Sequence, residues 1–71
     1  MRLTIDLARQ KDGRWLAEVR ELPGVCVLGN DRLDAFRRAE AMALRALAAH
    51  LDQGKAIGGA PAELALSFAL A

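Results

Sequence analysis

The chain has 71 residues, a formal net charge of +1, 54% hydrophobic residues and 4% aromatic residues. A chain of this length forms one small domain, and its near-neutral charge gives no strong support for binding to nucleic acid or to membranes. One cysteine and one histidine supply neither an intrachain disulfide nor the roughly four ligands of a structural zinc site. We therefore expect a single domain, residues 1–71, that uses no metal and no cofactor.

The sequence contains no recognisable targeting segment. Its N-terminal residues alternate between polar and apolar, whereas a secretory signal needs about 7–15 continuous apolar residues. No apolar run approaches the roughly 18 residues of a membrane span. We expect a cytoplasmic protein that does not associate with membranes.

Two alternating segments at the start of the chain, residues 2–9 and 15–20, predict a β-hairpin. Their inward faces carry Leu3, Ile5 and Leu7 in the first segment and Trp15, Ala17 and Val19 in the second. Keeping both sets on one side pairs Leu7 with Ala17 and requires an odd number of loop residues. The loop 11–13 meets this condition, with Gly13 in the left-handed position of a type I turn followed by a bulge.

A second turn and a third strand follow. Pro23 and Gly24 occupy the central positions of a predicted type II turn. Residues 25–28 form a short unbroken apolar run, which predicts a strand covered on both faces. Within it, we interpret Cys26 as a small buried hydrophobe.

Strong helix formers fill residues 32–53, which predict one long helix. Asp31 is suited to the N-cap, Asp34 to a capping box and Gly54 to the stop signal. One side of this helix carries Arg37, Arg38 and Arg45, interpreted as a solvated basic stripe. The opposite arc is broad and apolar, formed by Ala35, Phe36, Ala39, Met42, Ala43, Leu44, Ala46, Leu47 and Leu51.

A glycine-rich connection, residues 55–61, leads to a predicted last strand, residues 64–70, which carries no charge after Leu64. The expected fold is α+β, with element order β-β-β-α-β: an antiparallel meander plus a helical crossover. The simplest sheet order is 3-2-1-4, with strand 4 parallel to strand 1. An uncharged last strand and an apolar arc wider than one sheet contact both favour a homodimer or a larger homo-oligomer.

Catalytic chemistry finds little support in the sequence. The strand order resembles the first part of the ribonuclease H fold, whose nucleases hold two metal ions with clustered carboxylates. Asp6 and Glu18 would face each other, but the last strand offers no carboxylate. His50 has no orienting partner on its face of the helix. We expect no catalytic residues and no enzyme activity.

Several short motifs carry a resemblance to a known family. They are Asp12-Gly13-Arg14-Trp15-Leu16-Ala17-Glu18-Val19, Leu22-Pro23-Gly24, Gly29-Asn30-Asp31 and Asp34-Ala35. In this order they resemble the HicB-like antitoxin family of type II toxin–antitoxin systems, over residues 12–47. The resemblance implies a partial ribonuclease H-like fold without nuclease activity. It also implies a partner, a small HicA-type toxin that cleaves messenger RNA. Full antitoxins usually carry a C-terminal DNA-binding domain, so we expect a short form that lacks it.

An inhibitor of a ribonuclease needs charge complementary to the enzyme's basic face. The acidic residues that we expect to supply it are Asp6 and Glu18, on the outward face of the hairpin, and Glu21, in the loop at its end. The basic helix stripe and the last strand are the alternative contact surfaces. Two other functions stay open: a small homo-oligomeric structural or regulatory protein with no toxin, and a module that binds single-stranded nucleic acid or RNA.

Overall fold

The structure, a computed structural model, describes residues 1–54 and 66–71. Its elements are β1 (Arg2–Arg9), β2 (Trp15–Val19), β3 (Cys26–Gly29), α1 (Arg32–Asp52) and β4 (Ser67–Leu70). The four strands form one mixed sheet of order β3-β2-β1-β4, in which only the β1–β4 pair is parallel. The predicted α+β class, element order and sheet order are confirmed.

The first hairpin has the predicted register, with Ile5 opposite Val19 and Leu7 opposite Ala17. At its end, the Gln10 backbone N–H donates to the Arg14 carbonyl at 2.7 Å, and the Gly13 N–H donates to the Gln10 carbonyl at 3.0 Å. Gly13 has φ = 91°, a left-handed conformation that glycine adopts without a steric penalty. The odd loop therefore keeps both apolar sets on the same side of the sheet.

The second turn ends β2 one residue earlier than predicted. The Leu22 N–H donates to the Val19 carbonyl at 3.1 Å, so the chain already bends at residues 20 and 21. The Val25 N–H then donates to the Leu22 carbonyl at 3.0 Å. Gly24, with φ = 92°, lies in the third position of this turn, where a type II turn requires positive φ.

Both ends of α1 lie within one residue of the prediction. The Asp31 side chain accepts from the Asp34 N–H at 2.8 Å, which makes Asp31 the N-cap. The Asp34 carboxylate accepts from the N–H of Asn30 at 2.8 Å. In a standard capping box it would accept from the N–H of the N-cap residue itself, which is Asp31. At the other end, Gln53 is the C-cap and Gly54 has φ = 73°.

The core lies between α1 and one face of the sheet. It consists of Leu3, Ile5, Ala17, Val19, Val25, Ala35, Ala39, Ala43 and Leu47. The helix contributes four of these at a spacing of four residues, three of them alanines, so its backbone can lie close to the sheet. At Gly29 the helix backbone lies so close to β3 that an added Cβ would be only 2.5 Å from the Ala35 Cα.

The apolar arc of α1 is wider than its contact with the sheet, as its sequence pattern indicates. The buried part is a narrow stripe, and Leu44 and Leu51 of the arc remain 48% and 56% exposed. The expectation that the third strand is covered on both faces is wrong. The strand formed by residues 26–29 is covered on one face only, which leaves Cys26 exposed and Leu28 39% exposed. The physical reason is that one helix on one side of a four-stranded sheet covers a single face.

The predicted connection, residues 55–61, and the first two residues of the predicted last strand, 64 and 65, lie outside the described residues. The described part of that strand pairs with β1 in parallel, with Leu3 opposite Phe68. No helix within residues 1–54 and 66–71 is long and apolar enough to cross a membrane.

Candidate protein-binding surface on the open face of the sheet

The sheet face opposite α1, here called the open face, carries no helix or strand of the described residues. Side chains alternate along each strand, so the strand registers place two rows of residues across this face. One row is Asp6, Glu18 and Cys26. The other is Ala8, Leu16 and Leu28. The open face therefore sets an acidic row beside an apolar row.

Asp6 is held by Arg20. The Arg20 Nη2 donates to Asp6 Oδ1 at 2.7 Å and its Nε donates to Oδ2 at 3.2 Å. The hydrogen bond from this guanidinium is the main reason why the pKa of Asp6 lies below its usual range. Both side chains are about half exposed, so the pair fixes the position of the carboxylate more than it stabilises the fold. Arg2 belongs to none of the ion pairs among residues 1–54 and 66–71.

Glu18 lies directly opposite Asp6 on the neighbouring strand. It is exposed, and none of the ion pairs within the described ranges includes it. Facing like charges on paired strands are unfavourable, and the bidentate Arg20 reduces that repulsion. Glu18 consequently presents a carboxylate to solvent with no cation of the described chain bound to it.

The Glu21 side chain is bound to the backbone of β1, whereas we expected it to present its charge to solvent. Its Oε1 accepts from the backbone N–H of Thr4 at 2.6 Å, and this bond is the main cause of the lowered pKa of Glu21. The chain turns away after Val19, so the Glu21 side chain supplies the acceptor that a longer β2 would have offered to β1. The sequence gives no sign of this contact, because it joins residues 17 positions apart.

Arg20 links two of these carboxylates. It binds Asp6 and is also attracted to Glu21, and both carboxylates raise the pKa of Arg20. Glu18 lies opposite Asp6 on the neighbouring strand, and the three residues Asp6, Glu18 and Glu21 are here called the acidic patch. Arg20, which binds Asp6, is not among the site residues predicted from the sequence. The apolar row beside the acidic patch was missed, although the alternation of residues 8, 16 and 28 was visible in the sequence.

The basic stripe of α1 is partly neutralised. The Arg38 Nε donates to Asp34 Oδ2 at 3.0 Å, one helical turn away, while Arg37 and Arg45 are exposed. Arg32 lies over the Trp15 ring, 5.5 Å from its centroid. His50 is exposed in the last turn of the helix.

Two shallow grooves flank α1. One, of about 310 Å³, is lined by Val27, Leu28, Arg38, Ala41, Met42 and Arg45. The other, of about 320 Å³, is lined by Leu7, Arg32, Leu33, Phe36 and Leu70. No carboxylate, histidine or cysteine lines either groove, and the described part of the chain holds no group of three or more potential metal ligands.

Comparison of this chain with models of protein families, with curated proteins and with solved structures finds no match in any of the three. Its function is therefore inferred from its own residues.

Proposed function

We propose that this chain is a non-catalytic, HicB-like antitoxin domain that binds and neutralises a small HicA-type toxin that cleaves messenger RNA. The observation that carries the proposal is the acidic patch on the open face, where Glu18 has no cationic partner among the described residues. The proposed fold is the partial ribonuclease H-like arrangement that the resemblance implies.

Four of the residues behind the resemblance support the proposed fold, since each has a role in the course of the backbone. The Asp12 Oδ1 accepts from the Arg14 N–H at 3.0 Å within the first turn. Gly24 supplies the positive φ of the second turn, and Asp31 caps the helix. Gly29 allows the close approach of Ala35. Because these positions specify the turns and the start of the helix, they support the proposed fold only. The proposed function rests on the acidic patch and the apolar row of the open face.

Charge complementarity supports the proposed partner. A ribonuclease contacts the phosphates of its substrate with cationic side chains, so its RNA-binding face is basic. Glu18 and Asp6 present carboxylates at the centre of the open face, which suits such a face. The neighbouring row of Ala8, Leu16 and Leu28 adds the apolar area that the buried centre of a protein interface requires.

The second candidate is a small homo-oligomeric structural or regulatory protein of the same fold with no toxin partner. The exposed side chains that favour it are Leu28 and Met42, which are 39% and 37% exposed beside the free edge of β3. Self-association and toxin binding are compatible, so only the toxin experiment separates the two functions.

The direct test is neutralisation in growing cells. The proposal requires a gene for a HicA-type toxin beside the gene for this chain, and its absence would contradict the proposal. The probe is that toxin, expressed from an inducible promoter. Co-expression of the unmodified chain should restore growth, whereas Glu18→Lys should not. Asp52→Lys makes the same charge change at the exposed end of α1 and should still restore growth. Failure of the folded, unmodified chain to restore growth would contradict the antitoxin function and favour the second candidate.

A further inference from the structure

We propose that β3 pairs antiparallel with β3 of a second copy of this chain, about a two-fold axis at Val27. Two four-stranded sheets would then join into one continuous sheet. This inference does not depend on the toxin and would hold for either candidate function.

Within residues 1–54 and 66–71, the hydrogen-bonding pattern of the sheet leaves the outward-facing backbone groups of β3 without a partner strand. The Val19 N–H donates to the Val25 carbonyl at 3.0 Å, and bonding alternates along an antiparallel pair. Val27 and Gly29 therefore bond towards β2, opposite Ala17 and Trp15. The N–H and carbonyl groups of Cys26 and Leu28 point away from β2, at the end of the sheet order.

The outward-facing backbone groups of Cys26 and Leu28 are spaced so that two copies of β3 can bond to each other. An axis through Val27 places Cys26 of one copy opposite Leu28 of the other, and the reverse. Each pair exchanges two backbone hydrogen bonds, which gives about four across the interface. A closed, isologous contact of this kind stops at a dimer.

The edge has no feature that would block pairing. Natural sheets protect free edges with charges, prolines or bulges, and the β3 residues Cys26–Gly29 include neither a charged residue nor a proline. The formal net charge of +1 also keeps the repulsion between two copies small.

Side-chain chemistry on both faces continues across the axis. On the helix side, the row of Leu7, Ala17 and Val27 would meet Val27 of the second copy. On the open face, the row of Ala8, Leu16 and Leu28 would meet Cys26 of the second copy. Apolar side chains thus meet apolar side chains in both rows, and the half-buried Val27 becomes covered.

The helix contributes a matching surface. Arg38, Ala41, Met42 and Arg45 line the groove beside Val27 and Leu28, at the spacing of one helix face. Two-fold symmetry runs the two helices antiparallel, so Arg45 of one copy approaches Arg38 of the other. The Asp34 carboxylate, 3.0 Å from Arg38, offsets this like charge. A second copy is therefore the occupant that we assign to the groove.

A proline at the free edge tests the backbone pairing. Leu28→Pro removes an N–H that points away from β2, a substitution that edge strands tolerate; Leu28→Ala is the matched control. Sedimentation is measured at tens of micromolar, a concentration at which a dimer with a Kd of about 1 μM is well populated. The unmodified chain and Leu28→Ala should give twice the chain mass of 7.6 kDa. Leu28→Pro should give the monomer mass with an unchanged circular dichroism spectrum. A monomeric unmodified chain would overturn the proposal.

A disulfide tests the register. With Cys26 replaced by Ser, Val27→Cys places two thiols at a directly opposed pair, whose Cα atoms lie about 4.5 Å apart and can be bridged. Leu28→Cys in the same background is the control, because its two copies are diagonal and about 7–8 Å apart. Oxidation should give a covalent dimer of the first variant only. A dimer that survives Leu28→Pro and forms no Val27→Cys crosslink would show that another surface is used.

Discussion

The Glu21 carboxylate accepts a hydrogen bond of 2.6 Å from the backbone N–H of Thr4, 17 residues earlier in the chain. This bond ties the acidic loop to β1 where β2 has already ended. It also holds the loop beside Arg20, which binds Asp6. The acidic patch and the end of the hairpin are therefore one structural unit, and Glu21 serves the fold as well as the surface charge.

Carboxylates with lowered pKa values make the stability of the fold sensitive to acid. Hydrogen bonds from the Thr4 N–H, the Asn30 N–H and Arg20 lower the pKa of Glu21, Asp34 and Asp6, respectively. Below about pH 4.5 the unfolded chain therefore binds more protons than the folded one. Stability should be complete above that pH and should be lost as the pH falls through the lowered pKa values. Thermal unfolding between about pH 2.5 and 7 measures this loss.

Glu21→Gln isolates the contribution of the loop. The amide oxygen can still accept from the Thr4 N–H but does not titrate, so Tm should fall less steeply with acid than in the unmodified chain. Asp52→Asn, at the exposed end of α1, is the control and should keep the full acid dependence. An acid dependence of Glu21→Gln equal to that of the unmodified chain would contradict the role assigned to this bond.

Gly29→Ala should destabilise the fold strongly. A Cβ at this position would lie 2.5 Å from the Ala35 Cα and 2.8 Å from its Cβ, so α1 must move away from the sheet. Overpacking of this kind costs about 3 kcal/mol, a large share of the stability of so small a domain. Urea unfolding measures the free energy of unfolding.

The matched control for this substitution is Gly54→Ala. Gly54 has positive φ but open space around its Cα, so its replacement should cost only the strain of a left-handed residue, about 1–2 kcal/mol. Equal losses at the two positions would mean that the close crossing of α1 over β3 is not what requires Gly29.

Asp31→Ala should remove the N-cap of α1. Its side chain accepts from the Asp34 N–H at 2.8 Å, and loss of such a cap typically costs about 1 kcal/mol. Asp31→Asn keeps an acceptor oxygen at the same place and should recover most of the lost free energy of unfolding. An Asp31→Ala variant as stable as the unmodified chain, measured in urea, would show that the Asp34–Asn30 bond alone is enough to start the helix.

Local patterns predicted the parts of this fold that depend on neighbouring residues. Pairing of Leu7 with Ala17 followed from alternation and loop parity, and Gly13 and Gly24 marked turns that need positive φ. Asp31 was identified as a cap from its place before a long run of helix formers. In each case a short stretch of sequence is enough to determine the strand register, the turn conformation or the helix cap.

Features that depend on distant contacts were predicted poorly. An apolar run cannot distinguish an edge strand with one bare face from a covered strand, so Cys26 was expected to be buried. The contact between Glu21 and Thr4 requires the register of two strands and the early end of β2. These outcomes depend on packing between elements.

The most direct test of the proposed antitoxin function is calorimetric titration of this chain into a purified, catalytically inactive HicA-type toxin encoded beside it. The unmodified chain should bind, and Glu18→Lys should weaken the affinity about tenfold or more, because close interfacial charge pairs contribute on the order of 1.5 kcal/mol or more. Asp52→Lys should bind as the unmodified chain does, and circular dichroism should show all three folded. No binding by the folded, unmodified chain would contradict the function, and equal binding by Glu18→Lys would contradict the acidic patch as the contact surface.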